Sequence, residues 1–429
     1  MFLTITNISQ GNYNTRAKNP QKLNVLLQKS LSFKGDSFKK SAKVNSPQYN
    51  ELVVKLPYKR IKDLLELNKK GILSKKDDEG KTVLENLHGI LKEKRAEGFD
   101  NINVLGDTIK VLNNPYSISQ KSDNSIKNSL EVIFSPKTPV FSQEKSSTCT
   151  ASCIEFDLAS KEPAEFTRFV KELTSPNLAV KKSIDLENLA EKTLEAFWLL
   201  NTFEVEQNNS NFNKVDLVLR PDENILHKIK LNNNNNKKEY DRTNVDTVLQ
   251  STFMNLGSQH SYNSLTDKRG GKFGGINKGL IEFEKTFVES VVRNKNIISV
   301  NYQKIENDDI VGYETDFETM KTQLKNSFAL GENVIVGLTN KDKNGKIRGH
   351  EVVLTGYSTN ALTGKTEFYG FNSDKGKNTS VIYKEDELLP KIHHAGLPRE
   401  VVANSMNFKE GWVIGLEQLR ENRLRNEVA

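Results

Sequence analysis

Apolar residues recur at helical spacing through the first part of this chain and give way to strand-like runs in the last third. Tyr58–Leu67 carries Ile61, Leu64, Leu65 and Leu67 at that spacing and runs out near Gly71. Lys81–Leu91 repeats the pattern with Val83, Leu84, Leu87 and Ile90, and Asn103–Leu112 repeats it again before Asn114-Pro115. These segments predict a small helical bundle over roughly 50–120. A hydrophilic stretch then leads to a predicted strand at Leu130–Phe134, and Pro136 and Pro139 mark an extended approach to Gln143.

Past Cys149, the stripe Ala151, Ile154, Leu158 and Ala159 predicts a helix that starts near the cysteine and ends or restarts at Glu162-Pro163. A second helix follows through Phe166, Phe169, Val170 and Leu173, and a third from Leu186 to Phe203 behind the cap residue Asp185. Residues 207–245 are polar and asparagine-rich, including the run Asn232–Asn236, which predicts a surface insertion. Lys268–Gly275 is a glycine loop without the lysine-hydroxyl ending of a phosphate loop or the spacing of a dinucleotide site, so it reads as a connector or cleft wall. A helix is predicted from Ile276 to Arg293. Beyond it come strands at Ile297–Tyr302, Asn333–Leu338, Glu351–Tyr357, Thr366–Phe371, Val381–Tyr383 and Trp412–Gly415, with a helix at Phe317–Leu330 and turns at Asp342–Gly345 and Gly364-Lys365. Helices first and an antiparallel sheet second make an α+β chain.

Composition adjusts this picture in three ways. At 429 residues the chain exceeds one ordinary core. It divides into a basic flexible arm at 1–48, a helical region at 49–128 in the position of a regulatory or pro-region, and a domain at 129–429 holding the insertion near 207–245. The net charge of +7 is local, because residues 1–45 carry eight Lys or Arg against the single acid Asp36. Such an arm suits an acidic partner or an anionic surface; with few aromatics and no recognition motif it does not predict nucleic-acid binding. No run is long enough for a transmembrane segment, and the start lacks a basic leader, so the expectation is a cytoplasmic protein or one exported without a classical signal peptide.

The chain has only two cysteines, Cys149 and Cys153. Four residues apart on one helix they would make a strained bridge, so both read as free thiols of a reducing compartment. Cys149 stands where the helix begins, with Thr148 as its cap, and Cys153 one turn in reads as core. Gly349-His350 follows 201 residues after Cys149 and opens a predicted strand; Asn372 closes the next one. A thiol, a base and an amide that orients the base occur in that order. Gln143, six residues before the cysteine, suits an oxyanion donor. Asp374 is the rival of Asn372 as orienting residue. The adjacent His393 and His394 lack metal-ligand spacing and read as surface; His88, His227 and His260 have no supporting pattern.

These residues resemble the papain-like cysteine proteases. Gln143 stands six before the nucleophile position and Ala151 two after it; His350, Val352, Gly356 and Tyr357 fit the histidine strand; Asn372-Ser373 fits the asparagine motif. The family's glycine before the nucleophile is Thr148, its following aromatic is Thr150, and the tryptophan after Asn-Ser is Asp374. With the framework cysteines also missing, the resemblance is to a distant bacterial-type branch. It implies a helical left lobe carrying Cys149 and an antiparallel β right lobe carrying His350 and Asn372. It further implies a cysteine peptidase acting on a protein or peptide substrate without metal or cofactor. A deamidase or acyltransferase of the same fold, or an inactive interaction protein, are the alternatives.

Overall fold

Ser46 accepts a hydrogen bond from the Tyr49 N–H and Pro47 fills the first helical position, where its missing N–H costs nothing; α1 (Pro47–Lys55) starts there. α2 (Tyr58–Lys69) buries Ile61, Leu64 and Leu67 and is followed by Gly71 in the left-handed region. A reciprocal cap between Thr82 and Glu85 opens α3 (Val83–Lys92), and Asp100 caps α4 (Asn101–Asn113). In this computed structural model the described residues are 46–120, 147–234, 241–273, 279–306, 309–375 and 379–403, and these described residues belong to one compact unit. Most of the arm 1–48, the predicted strands Leu130–Phe134 and Trp412–Gly415, Pro136, Pro139, Gln143 and Gly274-Gly275 lie outside the described residues.

α5 (Cys149–Lys161) and α6 (Pro163–Leu173) meet at Glu162-Pro163, as the apolar spacing predicts. The long helix expected from Leu186 does not form. Leu186–Asn188 is a single 3₁₀ turn, and α7 (Thr193–Thr202) begins afterwards. Asn188 is held elsewhere, donating to Asn294 O at 2.8 Å and Asn294 Oδ1 at 3.0 Å. The polar segment 207–245 is likewise not a plain surface insertion. Antiparallel strands β1 (Val180–Asp185), β2 (Glu206–Ser210) and β3 (Lys214–Leu219) form a sheet with β3 in its centre, and α8 (Ile225–Asn234) follows. α9 (Asn244–Gly257) is buried from Val245 to Gly257, and α10 (Glu282–Arg293) from Phe283 to Arg293.

β4 (Ile297–Asn301), the hairpin β5 (Gln303–Glu306) and β6 (Asp309–Tyr313), α11 (Phe317–Ala329), β7 (Val334–Lys341), β8 (Ile347–Thr359), β9 (Thr366–Phe371), β10 (Ser380–Lys384) and β11 (Ile392–Pro398) complete the described chain. Six of these strands make one antiparallel sheet in the order β10-β9-β8-β7-β11-β4. Alternation along its strands gives two faces. Val334, Val336, Val352, Leu354, Phe368, Ala395 and Leu397 meet Met320 and Leu324 of α11 in one core. Ile335, Glu351, Val353 and Phe371 alternate to the other face, which α5 and α10 cover. The fold is thus α+β with antiparallel sheets. His393 and His394, expected on the surface, lie on the interior strand β11, where His394 is buried.

A buried helix such as α10 must satisfy its charges. Lys285 donates to Ile335 O at 3.0 Å and lies 3.8 Å from Glu351. Arg293 bridges Asp157 of α5, Glu162 and Glu332. Burial, with the nearby Asp157, pushes Glu289 well above the usual carboxylate range. Among the described residues no helix is long and apolar enough to cross a membrane.

Candidate active site

The sulfur, the imidazole and the amide reach one place from three elements. Cys149 is the first residue of α5 and is partly exposed, while Cys153 is buried one turn in. Thr148 holds the cap position, but its hydroxyl donates to Gln250 Oε1 at 2.9 Å instead of capping the helix. The first-turn N–H groups of α5 therefore have no side-chain cap from Thr148 and carry the positive end of the helix dipole to the sulfur.

His350 does not open its strand; β8 begins at Ile347 and pairs with β7 as far as Lys341. The pairing with β9 starts only at Val353 opposite Phe371. Beside His350 the edge of β8 is thus left open on the β9 side, and Asn372, the residue that follows β9, turns into that space.

His350 Nε2 and Asn372 Oδ1 are 2.9 Å apart. The tautomer follows from the neighbours. The Asp374 N–H, which can only donate, also reaches Asn372 Oδ1 at 3.1 Å, and Asn372 Nδ2 donates to Tyr383 Oη at 3.3 Å. The amide oxygen must therefore face His350, so Nε2 carries the proton and Nδ1 is left for the sulfur. Cys149 is the other partner that acts on the ring. Burial works to lower the His350 pKa, but the hydrogen bond and charge of Cys149, the Asn372 bond and the charge of Asp374 outweigh it and hold His350 at about 9. An imidazole that keeps its proton at neutral pH is a counter-ion for a thiolate and an acid for a leaving amine. The thiol of Cys153 moves the opposite way: burial, then the neighbouring Cys149, pushes it well above the usual thiol range.

Asp374, the rival orienting residue, points its carboxylate elsewhere and accepts from Gln120 Nε2 at 2.9 Å. Its backbone N–H and its charge serve the pair, but the amide of Asn372 makes the contact. Sequence reasoning missed what holds the three residues together. Ser152 of α5 donates to Ser373 Oγ at 2.8 Å, and Phe156 stacks on Phe371 with ring centroids 4.4 Å apart. Tyr116, from the N-terminal helical region, packs its edge on both rings, at 5.0 and 6.2 Å. The signal for the serine contact was present in Ser152 and Ser373, each next to a motif residue; nothing in sequence marks Tyr116 or Gln120. Gln143 lies outside the described residues. A separate polar hollow of about 870 Å³, lined by Arg60, Asp63, Asp107, Lys110 and Asn244, includes none of Cys149, His350 or Asn372.

Compared with protein-family models, with curated proteins and with solved structures, the chain matches none.

Proposed function

We propose that this chain is a papain-like thiol hydrolase that cleaves peptide bonds through Cys149, His350 and Asn372. The observation that carries the reading is the convergence on His350 of two partners, an amide oxygen fixed in direction at Nε2 and the partly exposed Cys149 at a helix start, which raises the pKa of the ring. The thiolate attacks the carbonyl carbon, and the oxyanion gathers at the Cys149 N–H, with Gln143 as the further donor implied by the resemblance. His350 gives its proton to the departing nitrogen, and the acyl-enzyme forms. Neutral His350 then takes a proton from water, the hydroxide displaces the sulfur, and the carboxylic acid leaves. Asn372 holds the ring in plane for both transfers, and no step calls for a metal.

Iodoacetamide labelling across pH tests the site, and mass spectrometry of a peptide library tests the reaction. Wild type and Cys153→Ala should alkylate at Cys149 faster than a free thiol, with His350→Ala slow and Cys149→Ala silent at that position. Library peptides should appear as pairs of fragments that share one added water. Amide-to-acid conversion of intact peptides would instead make the protein a deamidase. Labelling no faster than a free thiol, or indifferent to His350→Ala, would remove the catalytic reading altogether.

A further inference from the structure

Neighbouring residues of a strand ordinarily point to opposite faces of the sheet. His393 and His394 do not. The pairing of β11 with β7 slips between Ile392 and His394, and this irregularity turns both rings to one side, with their Nδ1 atoms 2.9 Å apart. Both rings also converge on Glu282, the first residue of α10. Its Oε2 lies 3.4 Å from His393 Nδ1 and 3.6 Å from His394 Nδ1. A divalent ion bonded at about 2.0–2.2 Å to donors at tetrahedral corners sets them roughly 3.3–3.6 Å apart. The two separations from Glu282, 3.4 and 3.6 Å, fall within that span, and the 2.9 Å between the imidazole nitrogens is about 0.4 Å shorter.

Two further features suit a ligand site better than a simple histidine–histidine hydrogen bond. The other nitrogen of His394, Nε2, lies 3.1 Å from Glu351 Oε1, which places a carboxylate behind the ring, the usual neighbour of a ligating histidine. The ring of His394 also needs the space of a missing side chain, since a Cβ at Gly337 would sit 2.2 Å from its Cε1. The nearby cation Lys285 is already committed to Ile335 O and Glu351. The His394 and Glu282 side chains are 8% and 12% exposed and that of His393 29%, so the cluster opens to solvent on one side.

From this arrangement we infer that Glu282, His393 and His394 bind a divalent transition-metal ion of the zinc type, with a fourth position open to water. Two imidazoles and one carboxylate select such an ion over calcium or magnesium. It would join the first turn of α10 to β11. Through His394 it would also fix Glu351, the chain neighbour of His350.

The test uses the full chain with Cys149→Ser, so that the thiol cannot compete for metal. After chelation and dialysis it is titrated with Zn²⁺, and separately with Co²⁺ as a spectroscopic probe. We expect one ion per chain, the strong visible absorption of four-coordinate Co²⁺ and a higher melting temperature with Zn²⁺. Glu282→Gln, which keeps the side-chain shape, and the half-exposed His393→Ala should each weaken binding about tenfold or more while far-UV circular dichroism is retained. His88→Ala, whose ring bonds Glu51 instead, should bind as the parent does. Failure of the parent to take up Zn²⁺ at micromolar concentration, or parent-like binding by Glu282→Gln, overturns the inference.

Discussion

Removing one sulfur atom should discharge His350. In the wild-type chain the imidazole stands at about 9 against an ordinary value of 6.5, a difference worth about 3 kcal/mol in favour of the protonated ring. Burial acts against that shift, so the partners together supply more than the net figure. Cys149 contributes both a hydrogen bond and a charge; Asn372 and Asp374 contribute the remainder. In Cys149→Ala only the last two oppose burial, and the midpoint should fall by about two units or more, to roughly 6.5 or below. The assay is a proton NMR titration of the Cε1–H signals in a chain with six histidines, with the His350 peak assigned by its loss in His350→Gln. It needs no substrate. A His350 signal still titrating near 9 in Cys149→Ala would refute the pairing, as would a wild-type midpoint at the ordinary value.

Two further predictions concern the framework. Arg293→Met should cost about 3–5 kcal/mol in urea unfolding, because it strands the fully buried Asp157. Adding Asp157→Asn should recover much of that loss, since Asn333 still donates at 2.7 Å to the oxygen that remains; equal stability of the single and double variants would exclude a stranded charge as the cause. Glu165 is buried, which alone would raise its pKa, yet Arg168 at 2.5 Å and Lys182 at 2.8 Å hold it down at about 2. A depressed carboxylate contributes stability above its ordinary 4.5 that is lost as pH falls toward 2, here about 3 kcal/mol. Unfolding measured over that window should therefore show a steeper acid loss in wild type than in Glu165→Gln.

The helices at 58–69, 83–92 and 101–113 were legible because each has an apolar stripe and a conventional start or stop, and the helix at 149–161 was legible from its apolar spacing and the Glu162-Pro163 break, although it is buried on all sides. The hairpin strands around His350 and Asn372 were legible through their runs of Val, Leu and aromatic residues. What stayed hidden is stabilised by polar groups or by distant neighbours. α9 buries Thr247, Gln250, Ser251, Thr252 and Asn255, a surface-like sequence whose hydrogen bonds run to Glu155, Asp222 and the backbone of Ser119 and Arg220. β3 carries its apolar residues inside an asparagine-rich stretch, and only β1 and β2 make it central. β11, Ile-His-His-Ala-Gly-Leu-Pro, lacks clean alternation because of the register slip that turns both histidines together. Of the candidate site, Cys149 and His350 could be read from sequence, but the choice of Asn372 over its rival Asp374 needed the structure. That choice depends on where β9 stops and on Gln120, 254 residues from Asp374.

The contacts that close the site, Ser152 to Ser373 and Phe156 to Phe371, join segments separated by more than 200 residues of chain. Synthesis at about 5–20 residues per second places roughly 10–40 s between the appearance of Cys149 and that of His350. Throughout that interval the sulfur is without His350. Long-range closure of this kind is also a late event in folding, since loop entropy is lost before the contacts form. The order of the chain thus works as a timer. On the proposed hydrolase reading, the protein while it is being made, with neighbouring nascent chains unfolded around it, holds no paired thiol with which to attack them.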